Sequence, residues 1–451
     1  MRYLFCTAAL VLCASAANGQ QPGQPSRLPP PPAAVPECVA TAAVTPVVGA
    51  GDVLCITRNG AIARALAANP QLAIAGAQTQ QARARKVEGD ALPDPGFSAE
   101  WDGSRGPFGT GGTSTAAYGA LLTIPFFDKF RLNRQIGTAG VHSSESDSVQ
   151  VHQTIADATS QTYDSLLAGL RHRNDLRESD SLARDFQTKT QARFDAGTAA
   201  RLDVVNAQVA VAQAQNSLLA NGRDIANARA SLNRLIGRPL GSTVQAADTL
   251  GTPATLPPLE ALEAAALKNR PELVSLGQQQ AGAHATTALA REFWLPDFTV
   301  GLSKDYEADP TPGLLTTAIS FPIPIFYMNH AKGEIAESKF HEDELSATYR
   351  DTQAAVGQDV RVTYATAATA LEQAVFIRDQ LLPAARTAYG IAAASYALGG
   401  LSALDVNQAY TALVSAESQY TDALAAANSA RADLERAVAT PLATFGTGAS
   451  Q

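Results

Sequence analysis

An internal duplication constrains this chain more than any other feature. The stretch ARASLNRLIGRPL, residues 228–240, returns as ARADLERAVATPL at 430–442, with seven identical positions at a constant offset of 202. Earlier segments match as well, ALAANPQL with ALKNRPEL and RFDAGTAARLDVVNAQ with SYALGGLSALDVNQA. Repetition on this scale predicts two copies of one supersecondary unit, because repeats decide architecture. We assign the first repeat to residues 52–250 and the second to 251–442, followed by a tail at 443–451.

The N-terminal segment predicts export. Arg2 precedes an apolar run at 3–17 that carries small residues at Ala14 and Ala16, a pattern typical of a signal peptide over 1–19. A membrane anchor is the alternative, but the run is shorter than the about 20 residues that span a bilayer. Residues 20–51 form a Pro-rich linker, whose stretch QQPGQPSRLPPPPAAVP predicts an extended polyproline-type conformation.

The chain has four cysteines, two in the predicted signal peptide, one in the linker and one at the start of the first repeat. Cys6 and Cys13 would leave with the signal peptide, unless Cys13 is the acylated residue of a lipoprotein, for which Leu12 is an unusual predecessor. Cys38 and Cys55 remain and form a disulfide candidate, since exported proteins meet an oxidising compartment. Two free thiols are the alternative.

The hydrophobic period changes twice within each repeat. A first helix is expected from about Asp52 to Ala91, followed by period-2 alternation that predicts strands at about 96–103 and 115–125. The second repeat alternates at about 297–306 and 314–325. Each predicted strand approaches the 9–11 residues with which tilted strands cross a bilayer. Because four strands cannot close a barrel and an open edge in lipid is costly, these strands predict a closed oligomer.

Long helices follow the strands. Residues 128–193 and 330–395 contain one proline, Pro383, and helices of about 65 residues would be about 100 Å long, as in coiled coils. The next helix in each repeat has an apolar residue at every seventh position, which predicts supercoiled packing. These seam positions are Val204, Val211, Leu218, Ile225 and Leu232, and then Val406, Leu413, Tyr420, Ala427 and Leu434.

From about Asp52 to Leu442 these features resemble the TolC-type outer-membrane efflux channels. The resemblance rests on the signal peptide, the duplicated helix–strand–strand–helix–helix order, the Tyr/Phe-x-x-Gly…LDV turn and the helix that ends in RPL. The motifs LPDP at 92–95 and FPIPIFYMNHAKGEIAES at 321–338 resemble the CzcC/CusC-like heavy-metal efflux branch. The resemblance implies a mostly α fold with a membrane β-barrel: a homotrimer with four strands per protomer in a 12-stranded barrel, and a long periplasmic α-helical coiled-coil tunnel.

The same resemblance implies a function. It makes the chain a passive export conduit in the outer membrane of a Gram-negative bacterium, which meets a periplasmic adaptor protein and an inner-membrane pump of the resistance-nodulation-division (RND) type. Divalent heavy-metal cations are the expected cargo. Drug or organic-compound efflux and type I secretion are alternatives for the same channel, and a non-conducting periplasmic coiled-coil scaffold is an alternative of another class.

The resemblance also implies sites. Asp405 would lie at the pore entrance, where Gln408 replaces a second acidic residue of the family; the alternative is that Asp405 caps the helix that begins near Val406. The turns between the long helices would contact the adaptor through two groups of residues. These are Gly197, Thr198, Arg201 and Leu202 in the first repeat, and Gly399, Leu401, Ser402 and Leu404 in the second.

Several functional classes are not supported by the sequence. A net charge of −8 without a basic tract disfavours nucleic-acid binding. The chain has no HExxH, P-loop or CxxC motif, so we expect neither an enzyme nor a cofactor. Glu334, Glu337 and His341 could share a helix face, but a charged helix surface is usually solvated, and we predict no metal site.

Overall fold

Both repeats contribute to one sheet and one set of packed helices. The computed structural model describes residues 47–49, 53–102, 115–125, 127–306, 315–323 and 327–445. The predicted signal peptide, Cys38, most of the Pro-rich segment and the end of the tail lie outside the described residues. No helix among the described residues is both long and apolar enough to cross a membrane.

The two repeats have matching element orders. The first contains β2 (Val53–Ile56), α1 (Arg58–Ala68), α2 (Pro70–Asp90), β3 (Gly96–Asp102), β4 (Thr115–Ile124), α3 (Phe127–Asp195) and α4 (Arg201–Leu235), with β1 (Val47–Gly49) before them and β5 (Val244–Ala246) after. The second contains α5 (Leu259–Asn269), α6 (Pro271–Arg291), β6 (Phe298–Tyr306), β7 (Leu315–Ser320), α7 (Tyr327–Phe376), α8 (Leu382–Ala397) and α9 (Ala403–Val438).

The structure corrects the predicted first helix. Residues 53–56 form a strand, and the helix is divided between α1 and α2 at Asn69, which is extended with ψ 125°. A residue before proline disfavours helical geometry, and Pro70 then starts α2, where its missing N–H costs nothing. The C-terminal end of the predicted linker, residues 20–51, also differs, because β1 lies within it and pairs with β2.

Prolines explain two further differences. The fourth strand ends at Ser320 instead of about 325, since Pro322 cannot donate a ladder hydrogen bond. The second long helix is interrupted by a π-helical turn, Ile377–Leu381, between α7 and α8. Pro383 has no N–H to bond the carbonyl four residues earlier, and the N–H of Leu382 bonds to the Ile377 carbonyl, five residues back.

The predicted heptad seams are confirmed. Eight of their ten positions are buried and the other two, Leu218 and Tyr420, are half-buried. Helix α4 packs along α3, and α9 packs along α7 and α8. The apolar repeat at every seventh residue therefore lies between the two helices of each hairpin, as supercoiled packing requires.

The repeats meet in the sheet and in the helical layer. The sheet order is β3-β4-β6-β7, entirely antiparallel, and the central β4–β6 pair joins the two repeats. Helix α3 of the first repeat packs against α6 and α9 of the second. Within the described residues β3 and β7 each have one unpaired edge.

Equivalent residues fasten the short helices of the two repeats. Asn69 Nδ2 donates to the Leu235 carbonyl at 3.2 Å, and 201 residues later Arg270 Nη1 donates to the Arg436 carbonyl at 3.2 Å. Both residues are buried and both precede a proline. Each ties the start of α2 or α6 to the C-terminal end of α4 or α9, where helix carbonyls lack intrahelical partners.

Candidate functional site: the hairpin tips

The two hairpin turns have closely related backbones. Gly197 and Gly399 have φ of +75° and +84°, the left-handed conformation that ends α3 and α8. The N–H of Thr198 bonds to the Arg193 carbonyl at 2.8 Å, and the N–H of Gly400 bonds to the Ser395 carbonyl at 2.8 Å. Both turns therefore satisfy the last carbonyls of their helices in the same way.

The eight residues predicted to contact an adaptor are all exposed at these two turns. The largest apolar surfaces among them belong to Leu202 and Leu404, which are 66% and 58% exposed. Position 202 corresponds to position 404 at the repeat offset, so each turn presents one leucine at the start of the return helix, the helix that follows the turn (α4 or α9). Exposed apolar residues at both tips are suitable for contact with a partner protein.

Asp405 is an exposed part of a capping box. Ser402, not Asp405, is the N-cap of α9, and its Oγ lies 3.3 Å from the N–H of Asp405. In return Asp405 Oδ2 accepts from the N–H of Ser402 at 3.0 Å and from its hydroxyl at 2.7 Å. These two hydrogen bonds hold the pKa of Asp405 below its usual range. Asp405 therefore stays ionised at neutral pH while it supports the start of α9.

The first repeat has only half of this arrangement. Asp203 Oδ2 accepts from the N–H of Ala200 at 3.1 Å, but Ala200 has no hydroxyl to return the bond. Gln408 lies one turn beyond Asp405 and is exposed. In each chain the described tip thus presents Asp405 and the neutral Gln408 on the exposed side of α9.

Removing the Ser402 hydroxyl should make the second tip resemble the first. We expect Ser402→Ala to destabilise the start of α9 by about 1 kcal/mol, the usual value of an N-cap side chain. Hydrogen–deuterium exchange of the peptide that covers 398–408 should accelerate. The matched variant Ala200→Ser should slow exchange at 196–206, and equal exchange in Ser402→Ala and the parent would contradict this role.

Sequence reasoning missed the contact that joins the two tips. The guanidinium of Arg193, at the end of α3, lies 4.4 Å from the centre of the Tyr396 ring and donates to the Tyr396 carbonyl. The Tyr396 hydroxyl lies 3.3 Å from Thr190 Oγ1, and its ring packs against Phe186. The only signal in the sequence was the alignment of Phe194 with Tyr396, which gave no reason to pair Tyr396 with Arg193.

The sheet has one mainly apolar and one mainly polar face, with Lys304 on the apolar side and Leu121 on the polar side. Its register places Leu122 opposite Val300 on one face and Thr123 opposite Thr299 on the other, with their hydroxyl oxygens 3.1 Å apart. The apolar face includes Phe97, Leu302, Leu315 and Ile319, which are 48–76% exposed. The polar face includes Ser98, Glu100, Ser303, Thr316 and Ser320. An apolar face this exposed calls for an apolar surrounding.

The remaining predictions concern a disulfide and metal binding. Cys55 lies on β2 and is disulfide-bonded; its pairing with Cys38 stays a prediction, because Cys38 lies outside the described residues. In the part of the chain that the structure describes, no three His, Cys, Asp or Glu side chains are grouped to hold a metal ion.

Duplicated helical hairpins joined by a shared antiparallel sheet define the TolC-like channel fold. The chain belongs to the outer membrane efflux protein family, whose model matches residues 61–238 and 262–440. It is therefore an outer-membrane protein, and its family consists of channel proteins rather than enzymes.

Three known proteins illustrate the relationship. The cobalt-zinc-cadmium resistance protein CzcC of Cupriavidus metallidurans is 22% identical over 57% of this chain, a match that spans 61% of CzcC. The pyoverdine export outer membrane protein OpmQ of Pseudomonas putida is 24% identical over 77% of this chain and 78% of OpmQ. The structural match to crystalline CusC covers 89% of this chain and 98% of the CusC chain, with a TM-score of 0.74 and 18% sequence identity.

Proposed function

We propose that three copies of this chain form a passive export conduit through the outer membrane. The observation that supports this most directly is the four-stranded sheet with its apolar face and two unpaired edges. Three such sheets, joined β7 to β3, would close into a twelve-stranded barrel that leaves no edge in lipid. The apolar face would contact lipid and the polar face would line the lumen.

The helical hairpins would extend the conduit into the periplasm. There the exposed tips would meet a periplasmic adaptor that connects the channel to an inner-membrane RND pump. Leu202 and Leu404 would supply the apolar part of that contact, and Gly197 and Gly399 would shape the turns. Three copies of Asp405 would place three carboxylates around the entrance, which favours cations. Because Gln408 is neutral, this ring carries one charge per chain.

Divalent heavy-metal cations are the proposed cargo. Similarity to CzcC, a cobalt-zinc-cadmium resistance protein, supports this choice. Similarity to OpmQ, a pyoverdine export protein, supports an organic cargo as the second candidate. No catalytic step is needed, since selection would occur at the pump.

Growth of a deletion strain would test the cargo. On a panel of cobalt, zinc, cadmium, copper, drugs and a siderophore, we expect the strain to become sensitive to divalent metals and to recover with the plasmid-borne gene. Sensitivity to drugs alone would reject the metal cargo but keep the channel.

Planar-bilayer recordings test the conduit itself. If the purified protein inserts but neither the parent nor the Asp405→Ala variant conducts ions, a non-conducting scaffold would be favoured.

A further inference from the structure

Three arginines of the first repeat lie close together where α3, α4 and β5 meet. Arg173 and Arg177 are one turn apart on α3, and Arg229 of α4 donates from Nε to the Val244 carbonyl of β5 at 3.2 Å. Burial lowers the pKa of Arg173, and repulsion by Arg177 and Arg229 lowers it further. Since this repulsion requires proximity, the three guanidinium groups form one patch of positive charge, which we call the arginine patch.

The arginine patch has no carboxylate partner in the part of the chain that the structure describes. There Arg173 and Arg177 make no side-chain hydrogen bond or ion pair, and the Nε of Arg173 is buried without an acceptor. Folded proteins pair nearly all of their buried donors. This orphaned N–H therefore indicates an acceptor that a ligand supplies.

The carboxylates near the patch in sequence face other partners. Asp175 accepts from Thr421 of α9 at 2.8 Å. Burial raises the pKa of Glu417, also on α9, and the nearby Glu178 raises it further. On α4, Asp224 pairs with the arginine before it at 3.0 Å. None of these acids neutralises the arginine patch.

The second repeat neutralises the equivalent position on its return helix. Arg229 corresponds to Arg431 at the offset of 202, and Arg431 Nε lies 3.5 Å from Glu435 Oε1, one turn later. The counterpart of Glu435 is Asn233, which donates to two carbonyls of the segment that follows α4. The first repeat thus keeps the arginine and lacks its carboxylate.

The long helix of the second repeat has no equivalent patch. Above the π-helical turn α3 and α7 match at an offset of 201, which aligns their buried positions. These are Ile155 with Val356 and Leu166 with Ala367. Arg173 then corresponds to the buried Ala374. Arg177 corresponds to Arg378, whose guanidinium pairs with Asp379 at 2.7 Å. Helix packing, which the two repeats share, therefore does not require the arginine patch.

We propose that the arginine patch binds an oxyanion, the phosphate or carboxylate group of a periplasmic solute. Guanidinium groups match two oxygens of such a group with paired hydrogen bonds, which are stronger than those between neutral groups. The ligand would accept from the orphaned Nε of Arg173 and offset the repulsion among the three arginines. Arg177 is exposed and the other two are half-buried, so the patch is open to solvent.

The position of the patch decides the source of the ligand. Arg173 follows the first residue of α3, Phe127, by 46 residues, or roughly 70 Å at 1.5 Å per residue. In the proposed conduit this distance places the patch in the periplasm, far from the membrane, and excludes a lipid headgroup. This step alone rests on the proposed function, and the arginine patch itself does not.

Calorimetric titration tests the site. Purified full-length protein in detergent, titrated with inorganic phosphate or with citrate at an ionic strength held constant with chloride, should show one saturable site per chain for at least one of the two anions. Binding of phosphate alone would assign the site to phosphate groups, and binding of citrate alone would assign it to carboxylates. No saturable binding of either anion would overturn the proposal.

Two matched variants connect the binding to the arginine patch. Arg173→Gln should weaken the affinity about tenfold or more, since it removes charge-assisted hydrogen bonds. Arg378→Gln changes an arginine that is paired with Asp379, so it should leave the affinity unchanged. Equal affinities of Arg173→Gln and the parent would contradict the proposal.

Thermal unfolding separates ligand binding from a structural role of Arg173. At about 100 times its dissociation constant, the anion that binds should raise the unfolding midpoint of the parent by a few degrees. It should raise that of Arg173→Gln about half as much or less. Without the anion, Arg173→Gln should unfold no earlier than the parent, because the repulsion is removed. A midpoint lowered by the same amount with and without the anion would show a merely structural arginine and reject the site.

Discussion

Arg270→Ala should lower the free energy of unfolding by about 3 kcal/mol. The side chain is only 10% exposed, and its Nη2 donates to Asp359 Oδ2 at 2.9 Å. Its Nε lies 3.0 Å from Glu272 Oε2, and its Nη1 donates to the Arg436 carbonyl. Alanine would leave two carboxylates and one helix-terminal carbonyl without this partner. Thermal unfolding of the detergent-solubilised protein, followed by circular dichroism, would measure the loss.

Two matched variants sharpen this test. Arg361→Ala removes an ion pair with Glu263 whose arginine is 68% exposed, so we expect it to cost less than 1 kcal/mol. Arg270→Asn supplies the donor that Asn69 supplies in the first repeat, so it should recover the hydrogen bond to the carbonyl but not the ion pairs. Its free energy of unfolding should therefore lie between those of the parent and of Arg270→Ala. If Arg270→Ala were as mild as Arg361→Ala, the buried arginine would not fasten α6 as described.

Gly237→Ala and Ala439→Gly should have opposite effects on stability. The two positions correspond at the repeat offset and both have left-handed backbones, with φ of 69° and 56°. In Gly237→Ala the added Cβ would lie 3.0 Å from the Ala68 Cβ and 3.1 Å from the Ala68 carbonyl oxygen. The left-handed conformation itself costs a residue with a Cβ about 1–2 kcal/mol, so we expect Gly237→Ala to lower the free energy of unfolding by about 2 kcal/mol.

Ala439→Gly should stabilise the protein by about 0.5–1 kcal/mol. Relief of the left-handed strain, about 1–2 kcal/mol, is partly offset by the greater backbone entropy of glycine in the unfolded chain. The midpoint of thermal unfolding should fall for Gly237→Ala and rise for Ala439→Gly. Shifts of the same sign would show that the two helix ends are not equivalent.

Periodic features of the fold could be predicted from the sequence. The seam from Val204 to Leu232 was recognisable because supercoiled helices need an apolar residue at every seventh position. The strands were recognisable because one apolar and one polar face require alternation. The positive-φ turns at the tips were indicated by Gly197 and Gly399 for the same local reason.

Features that depend on distant partners could not be predicted. The sheet of β1, β2 and β5 pairs Leu54 with Val244, two segments about 190 residues apart, and neither short strand has a pattern of its own. Tyr163 fastens this sheet, since its hydroxyl lies 2.9 Å from the Ile56 carbonyl and 3.0 Å from Asp248 Oδ2. At the tips, the alternative that Asp405 caps α9 differs from the structure by three positions, because an aspartate is favourable both as the N-cap and as an acidic residue of the first turn, and Asp405 lies at N3 behind Ser402.

The sequence by itself determined that this chain consists of two matching units of helices and strands, because hydrophobic period, proline and glycine act on the local backbone. Only the tertiary structure decided how the units meet: β4 beside β6, Thr421 between Arg171 and Asp175, and Arg193 over Tyr396. Such contacts depend on surfaces that come together from opposite halves of the chain, and the matching patterns of the two repeats do not show which of their equivalent faces is already covered. Leu219 and Thr421 occupy equivalent positions, and only the folded chain distinguishes the exposed residue from the buried one.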